Sequence, residues 1–367
     1  MPKMGNPSLV TLPLMNAGNT AVFSGVSLRP LESGRETEWD RFVLGRPDGS
    51  FFQTTGWMRA IQKTYGYEAR YVFAERDGKI VGVAPLFFIS NWVIGKVLNS
   101  VPFGVYGGIC AEDAETRQAL IDRSKEIAIQ EKADFLELRA RKSEPLVGFH
   151  PNSLYVTFTS ELSMNHEANL KKLPRDTRYM IRKAEKAGLS VRHGMEQLPE
   201  FYALFAASMQ RHGTPVFPFR WFKNLHSEFG DKMDLLMIRE GEQPVAGVIS
   251  FFFRETVLPY YAGAGPDAPR LAANNLLYWE LMKFAADAGY RTFDFGRSKK
   301  GTGSYTFKTQ WNMTLEPLDY QVFLVRRKTP PNFSPVNPKF ERATRVWSRL
   351  PLWLTKQIGP RVVRWFP

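Results

Sequence analysis

Apolar and polar positions along the chain change period in a set order, and that order occurs twice. A Trp-bearing stretch of helical period around Trp57 runs into Tyr65-Gly66 and an extended stretch. Arg76-Asp77-Gly78-Lys79 and the apolar run Ile80-Val81-Gly82-Val83-Ala84 follow. Around Trp221 the succession returns: Phe229-Gly230, an extended stretch, Arg239-Glu240-Gly241, then Val245-Ala246-Gly247-Val248-Ile249. Trp57 to Trp221 and Gly66 to Gly230 both span 164 residues, Arg76 to Arg239 spans 163 and Gly82 to Gly247 spans 165. Landmarks that agree to within one residue identify an internal duplication.

The local chemistry predicts the elements of each copy. Asp77-Gly78 and Glu240-Gly241 sit between apolar runs, where a tight hairpin needs a residue tolerant of positive φ. The runs after them predict central strands. Each copy then continues as strand, helix, strand. In the first these fall near Tyr106, over 117–131 and over 135–138; in the second, over 257–262, 274–288 and 292–295. The expected fold class is α+β, with one domain over 26–160 and a second over 161–328. A disordered or loosely packed segment, 1–25, precedes them, and a basic aromatic tail, 329–367, follows.

Composition narrows the class. A chain of 367 residues with 44% hydrophobic and 23% charged residues is neither disordered nor fibrous. Its single cysteine, Cys110, excludes a disulfide framework and a cysteine zinc cluster, and a reducing, cytoplasmic location is expected. Cys110 lies in an apolar stretch and reads as core. Residues 1–25 lack the continuous apolar core of a secretory signal. The longest uncharged runs, Ile80–Gly95 and Val97–Ala111, fall short of the ~20 residues of a membrane helix and are broken by Pro, Asn and Gly, so they predict buried strands.

Charge is distributed unevenly. Lys and Arg number 49 against 36 Asp and Glu, a net +13, yet residues 326–367 alone hold ten Lys and Arg against the single acid Glu341. A charge excess this local suits contact with phosphate or an anionic membrane, not the coating of DNA. In the tail, Trp347, Trp353 and Trp365 alternate with basic residues, as in an interfacial segment. Pro351 and Pro360 break any single helix there, so packing back on the domain is the other reading.

A second basic stretch, His166–Gly188, predicts a helix closed by Gly188. Arg175, Arg178, Arg182 and Lys186 fall on one stripe, either a solvated face or a phosphate-binding one.

Candidate chemistry concentrates in Gly296-Arg297-Ser298-Lys299-Lys300-Gly301-Thr302-Gly303-Ser304-Tyr305-Thr306-Phe307-Lys308. Glycine-freed amides beside cations can hold phosphate or a developing oxyanion, although a plain flexible loop would have the same composition. The Gly-Lys-Ser/Thr of a Walker loop is absent. His212-Gly213-Thr214-Pro215 opens a rigid loop, in which His212 is either a general base or a satisfied surface residue. The five histidines form no metal-ligand pair, so no metal site is expected. Ordinary acetyltransferases open a helix with Gln/Arg-x-x-Gly-x-Gly/Ala; Arg270-Leu271-Ala272-Ala273-Asn274-Asn275 is a degraded version of that pyrophosphate loop.

The run Asp176-Thr177-Arg178-Tyr179-Met180-Ile181-Arg182-Lys183-Ala184-Glu185-Lys186-Ala187-Gly188 resembles the basic helix of the Fem-type aminoacyltransferases. Thr292-Phe293-Asp294-Phe295-Gly296 resembles their penultimate strand, and Phe307-Lys308 their Phe-Lys pair. Gly213-Thr214-Pro215, Asn337-Pro338-Lys339 and the basic tail resemble a narrower branch, the FemAB-like proteins of the exosortase/PEP-CTERM system. The resemblance implies two tandem GNAT-like domains and amide-forming transfer of an aminoacyl or acyl group to an amine of a cell-envelope or exopolysaccharide precursor. It implies no permanently bound cofactor, with aminoacyl-tRNA or acyl-CoA as co-substrate.

Carried over residue by residue, the resemblance makes Lys308 the stabiliser of the oxyanion, with Phe307 beside it. Arg297, Lys299 and Lys300 would neutralise donor phosphate. Tyr305 and Thr214 would contribute to substrate or donor binding. Arg178 and Arg182 would hold an anionic acceptor or tRNA backbone, and Tyr106-Gly107-Gly108 would hold the acceptor. Three other readings stay open at this point: an acyl-CoA-dependent N-acyltransferase, a non-catalytic binding module that positions an envelope partner, and a peripheral protein of the inner face of the membrane docked through the tail, which could coexist with catalysis.

Overall fold

The computed structural model describes residues 21–23, 25–331 and 338–366. Both predicted hairpins form, from Val72–Arg76 with Lys79–Ala84 and from Met233–Glu240 with Gln243–Phe253. Each turn uses positive φ: 50° at Asp77, 75° at Gly78 and 58° at Gly241. Each hairpin also carries a register shift, at Ala74/Glu75 and at Ile238/Arg239. These two irregularities are again 164 residues apart, so the duplication extends to the bulges. Each copy holds one parallel strand pair: Val97–Asn99 beside Phe135–Glu137, and Thr256-Val257 beside Thr292-Phe293.

Three departures from the sequence reading matter for the site. The strand expected near Tyr106 is an irregular loop, and its place is taken by Gly95–Asn99. Pro102, Gly104, Gly107 and Gly108 deny residues 102–108 a regular ladder. The basic helix is two helices, His166–Lys172 and Arg175–Lys186, because Pro174 removes a backbone donor and biases Leu173 to extended geometry. The copies also exchange strands. Tyr155–Glu161 crosses the expected boundary at 160–161 and lies in the second copy's eight-stranded sheet, between Thr292–Asp294 and Ser298-Lys299. Asp319–Leu324, inside the expected second unit, pairs with Phe135–Ala140 of the first. Of the expected loose segment 1–25, only residues 21–23 and 25 are described, and Ala21–Phe23 pairs with Val26–Leu28.

An aromatic seam joins the copies. The repeat landmarks Trp57 and Trp221, both fully buried, meet edge to face with ring centroids 5.3 Å apart. Phe51 stacks on Phe251 at 4.5 Å and tilts against Phe229 at 4.2 Å. The helices Thr55–Tyr65 and Phe219–Phe229 run antiparallel, and Glu228 bridges Arg59 and Lys63 at 2.7 and 2.5 Å. Side chains of both copies therefore belong to one continuous core.

The tail folds back on the protein. The helix Leu352–Val363 packs on Leu198–Arg211, burying Thr355, Gly359 and Val363, and Gln210 donates to the carbonyls of Ser348 and Leu350 at 2.8 and 3.0 Å. Pro351 begins this helix, whereas Pro360 lies inside it and does not end it. Among the described residues no helix is long and apolar enough to cross a membrane.

Trp57→Ala is expected to cost about 3–5 kcal/mol. Because the core is shared, urea unfolding followed by tryptophan fluorescence and by far-ultraviolet circular dichroism should give one coincident transition. Two separated transitions would contradict the shared core.

Candidate active site

The strand Thr292–Asp294 delivers a buried carboxylate to the boundary between the copies. Asp294 is fully buried and accepts from Tyr106 Oη at 2.6 Å, Thr157 Oγ1 at 2.6 Å and the Gly296 amide at 2.8 Å. Arg141 lies 3.7 Å from it and forms two hydrogen bonds to Glu316, at 3.0 and 3.1 Å. Burial holds the Tyr106 phenol well above its usual range, so it stays a donor. Desolvation would raise Glu316, but hydrogen bonds from Arg141 and Thr159 outweigh it and hold that carboxyl below its usual range. A buried carboxylate paired in this way fixes the start of the loop that follows.

That loop, 295–302, carries the expected chemistry. Thr302 Oγ1 caps the short helix Gly303–Thr309, which directs Lys308 back beneath the loop. Lys308 Nζ donates to the carbonyls of Phe295, Gly296 and Arg297 at 2.6, 3.0 and 3.3 Å. All three of its hydrogens thus have backbone acceptors, and desolvation lowers its pKa to about 8. Phe307 packs with Tyr278, Phe295 and Trp311, and the half-buried Lys308 ammonium lies 5.5 Å from the centre of the Phe295 ring. Tyr305 packs edge-on against Phe158. Ser298 Oγ, in the same loop, is buried and has no hydrogen-bond partner.

The three loop cations are not one cluster. Arg297 is half-buried, with its guanidinium 4.8 Å over the Tyr155 ring and a 3.4 Å hydrogen bond to Tyr320 Oη. Lys299 is half-buried in a two-residue strand, and Lys300 is exposed. The basic helix Arg175–Lys186 is drawn to the site by Thr177 Oγ1, which donates to the Gln310 carbonyl at 2.5 Å. Arg182 is exposed and Arg178 half-buried, and neither has a carboxylate at ion-pair distance among the described residues.

Of two further expected segments, the first touches this site through the Tyr106 hydroxyl and the second lies elsewhere. Tyr106-Gly107-Gly108 is buried and saturated: Gly107 N donates to Arg139 O, Gln53 to Gly108 O and Ser50 to Tyr106 O. The cleft beside Gly108 measures about 30 Å³, too small for an acceptor substrate. Thr214 is exposed on a loop that seats the tail, where Gly213 abuts Thr344. His212 Nδ1 is satisfied by the Ser208 carbonyl at 2.7 Å. Asp294, as the link between copies, escaped the sequence reading, although a lone acid between Phe293 and Phe295 was its signal. Arg141, Glu316 and Tyr320 gave none.

Comparisons with known proteins bear on the sequence and the fold. Residues 171–309 match the model of an acetyltransferase (GNAT) domain. Over 236 residues, 58% of this chain, the sequence is 27% identical to lipid II:glycine glycyltransferase of Staphylococcus aureus. The chain spans about half the length of that relative, 55%. The FemX crystal structure superposes with a TM-score of 0.67 at 18% identity, covering 82% of this chain and 97% of FemX. A tandem GNAT protein from clavulanic acid biosynthesis gives 0.53 at 9% identity, over 84% of this chain and all of that one. This chain has a tandem GNAT-like fold. Its Lys308 loop lies within the matched domain, and its tail docks on the Leu198–Arg211 helix of the second copy.

Lys308 makes stability depend on pH. Its folded pKa of about 8 lies below its ordinary value of 10.5. Between the two the unfolded chain binds more protons, so stability should rise with pH from about 8 to about 10.5 through this residue. Urea midpoints at pH 7.5 and 9.5 should show the rise in the native protein and a smaller one in Lys308→Met.

Proposed function

We propose that the chain transfers an aminoacyl group from aminoacyl-tRNA to an amine of a lipid-linked or polysaccharide-related envelope precursor, with Lys308 at the reacting centre. The observation that carries this reading is the desolvated Lys308 ammonium, held against the loop that leaves the Asp294 strand. The acceptor amine attacks the ester carbonyl, the new C–N bond forms, and the ester C–O bond breaks. The amine's proton leaves with the departing oxygen. Lys308 would turn its longest contact, to Arg297 O at 3.3 Å, toward the developing oxyanion. Exchange of one carbonyl for a charged oxygen favours the transition state over the resting site.

Two further features support a tRNA donor. The exposed cations of Arg175–Lys186 stand next to the Lys308 helix and can follow a phosphate backbone. The segment that would cradle coenzyme A pyrophosphate is closed. Ala273 N is bonded to Ala268 O and Asn275 N to Ala272 O, and Arg270 faces Glu240 and Asp267 at 3.6 and 3.5 Å. Amides spent within the chain cannot serve a pyrophosphate, which argues against the acyl-CoA alternative. The motifs Gly213-Thr214-Pro215 and Asn337-Pro338-Lys339, with the basic tail, favour the exosortase/PEP-CTERM branch as the setting.

Offered aminoacyl-tRNA, uncharged tRNA and acetyl-CoA, the protein should bind the charged tRNA best. Lys308→Met should reduce transfer about 100-fold or more with little change in binding. Saturable acetyl-CoA consumption with indifference to tRNA would overturn the donor. In a salt titration of tRNA binding, Arg178→Gln and Arg182→Gln should each lower the slope of log K against log salt by about 1. An unchanged slope would remove the basic helix from the interface.

A further inference from the structure

A cavity of about 500 Å³ lies where three helices meet, lined by Thr64 and Tyr65, Pro218 and Arg220, and Pro360, Arg361 and Arg364 of the tail. It shares no residue with the Lys308 loop. Among the described residues its cations lack counter-charges. Arg59 and Lys63, on the same helix as Thr64, share the single carboxylate of Glu228. Arg220 meets only the Thr64 carbonyl, at 2.7 Å, and Arg361 and Arg364 have no carboxylate at ion-pair distance among the described residues.

A second observation points the same way. Tyr65 is 7% exposed, lines the cavity, and its hydroxyl is buried without a hydrogen-bond partner. Buried hydroxyls are ordinarily paired, so this one awaits an acceptor. Burial keeps it protonated, and the Arg220 charge acts on it. The first turn of the eleven-residue helix Phe219–Phe229 borders the cavity and adds the positive end of its dipole.

The tail closes the cavity and is held there closely. Tyr67 Oη donates to the Arg364 carbonyl, Trp365 meets Trp92 at 5.0 Å, and a side chain at Gly359 would stand 3.0 Å from Val216 N. Docking of this basic segment therefore gathers three like charges around an orphan donor, an arrangement that an anion would relieve.

We infer that this cavity binds a phosphate-class dianion, a phosphomonoester or diphosphate group, through Arg220, Arg361, Arg364 and the Tyr65 hydroxyl. The basic tail then acts as the second wall of a defined site.

The test is calorimetric titration of the full chain with pyrophosphate at fixed ionic strength. Saturation at one site is expected, weakened about tenfold or more in Arg361→Gln/Arg364→Gln. Arg342→Gln/Arg349→Gln removes the same charge from the tail outside the cavity and should leave binding unchanged. Tyr65→Phe, which deletes only the hydroxyl, should weaken it several-fold with an unaltered circular dichroism spectrum. No saturable binding, or equal weakening in both double variants, would overturn the site. Phosphatidylcholine vesicles doped with phosphatidic acid identify the source of the group. Competition with pyrophosphate that is lost in Arg361→Gln/Arg364→Gln would assign the site to a lipid-borne phosphate, and pyrophosphate binding without vesicle competition to a soluble one.

Discussion

The aromatic seam between the two copies is the constraint on which the rest of the molecule depends. Trp57 and Trp221 occupy equivalent places in the duplication, are both fully buried, and meet edge to face. Aromatic pairs of this size bury large apolar areas and prefer the edge-to-face geometry seen here. Strand exchange strengthens the constraint, since Tyr155–Glu161 and Asp319–Leu324 each complete the other copy's sheet. Separated, each half would expose an aromatic face and lose a strand.

The site inherits its rigidity from that union. A carboxylate in such a seam is unfavourable unless donors surround it, and Asp294 receives them from both copies, Tyr106 and the exchanged-strand residue Thr157 from the first and the Gly296 amide from the second. The Gly296 amide is the third donor and begins the loop whose carbonyls hold Lys308. Packing between copies, the buried acid, the loop and the lysine thus form one chain of dependence. Docking of the copies sets the position of Nζ.

Much of the fold was legible because its signals are local. Asp77-Gly78 and Glu240-Gly241 specify turns by their own φ preferences, and the apolar runs after them specify strands by period. The exchange was not legible: Tyr155–Glu161 has the same alternation whichever sheet it joins, because period fixes a strand's faces and not its partner. The split basic helix was legible in Pro174, but Lys171 and Lys172 before it and Arg175 after it made one continuous basic run that masked the break. For the site, Gly296–Lys308 stood out by composition, yet composition could not say that Lys308 would be occupied by backbone carbonyls or that Arg297 would stack on Tyr155. Those facts depend on a turn of helix and on a strand 140 residues upstream. Tyr106 was singled out as part of an acceptor site, whereas its hydroxyl serves the Asp294 carboxylate.

The chain's positive charge falls into two populations with different physical consequences. Arg59 and Lys63 share Glu228, Arg141 meets Glu316 and Asp294, and Arg239 meets Glu200 and Glu242, so their fields are largely cancelled within the fold. Arg178, Arg182, Arg220, Arg361 and Arg364 have no such matches among the described residues. Unmatched cations repel one another and give little to stability. Their field is felt beyond the surface, where it attracts anions and falls off with salt. One group lies on a helix bonded to the Lys308 helix and the other rims a cavity completed by the tail. These five unmatched arginines therefore stand where phosphate would be recognised.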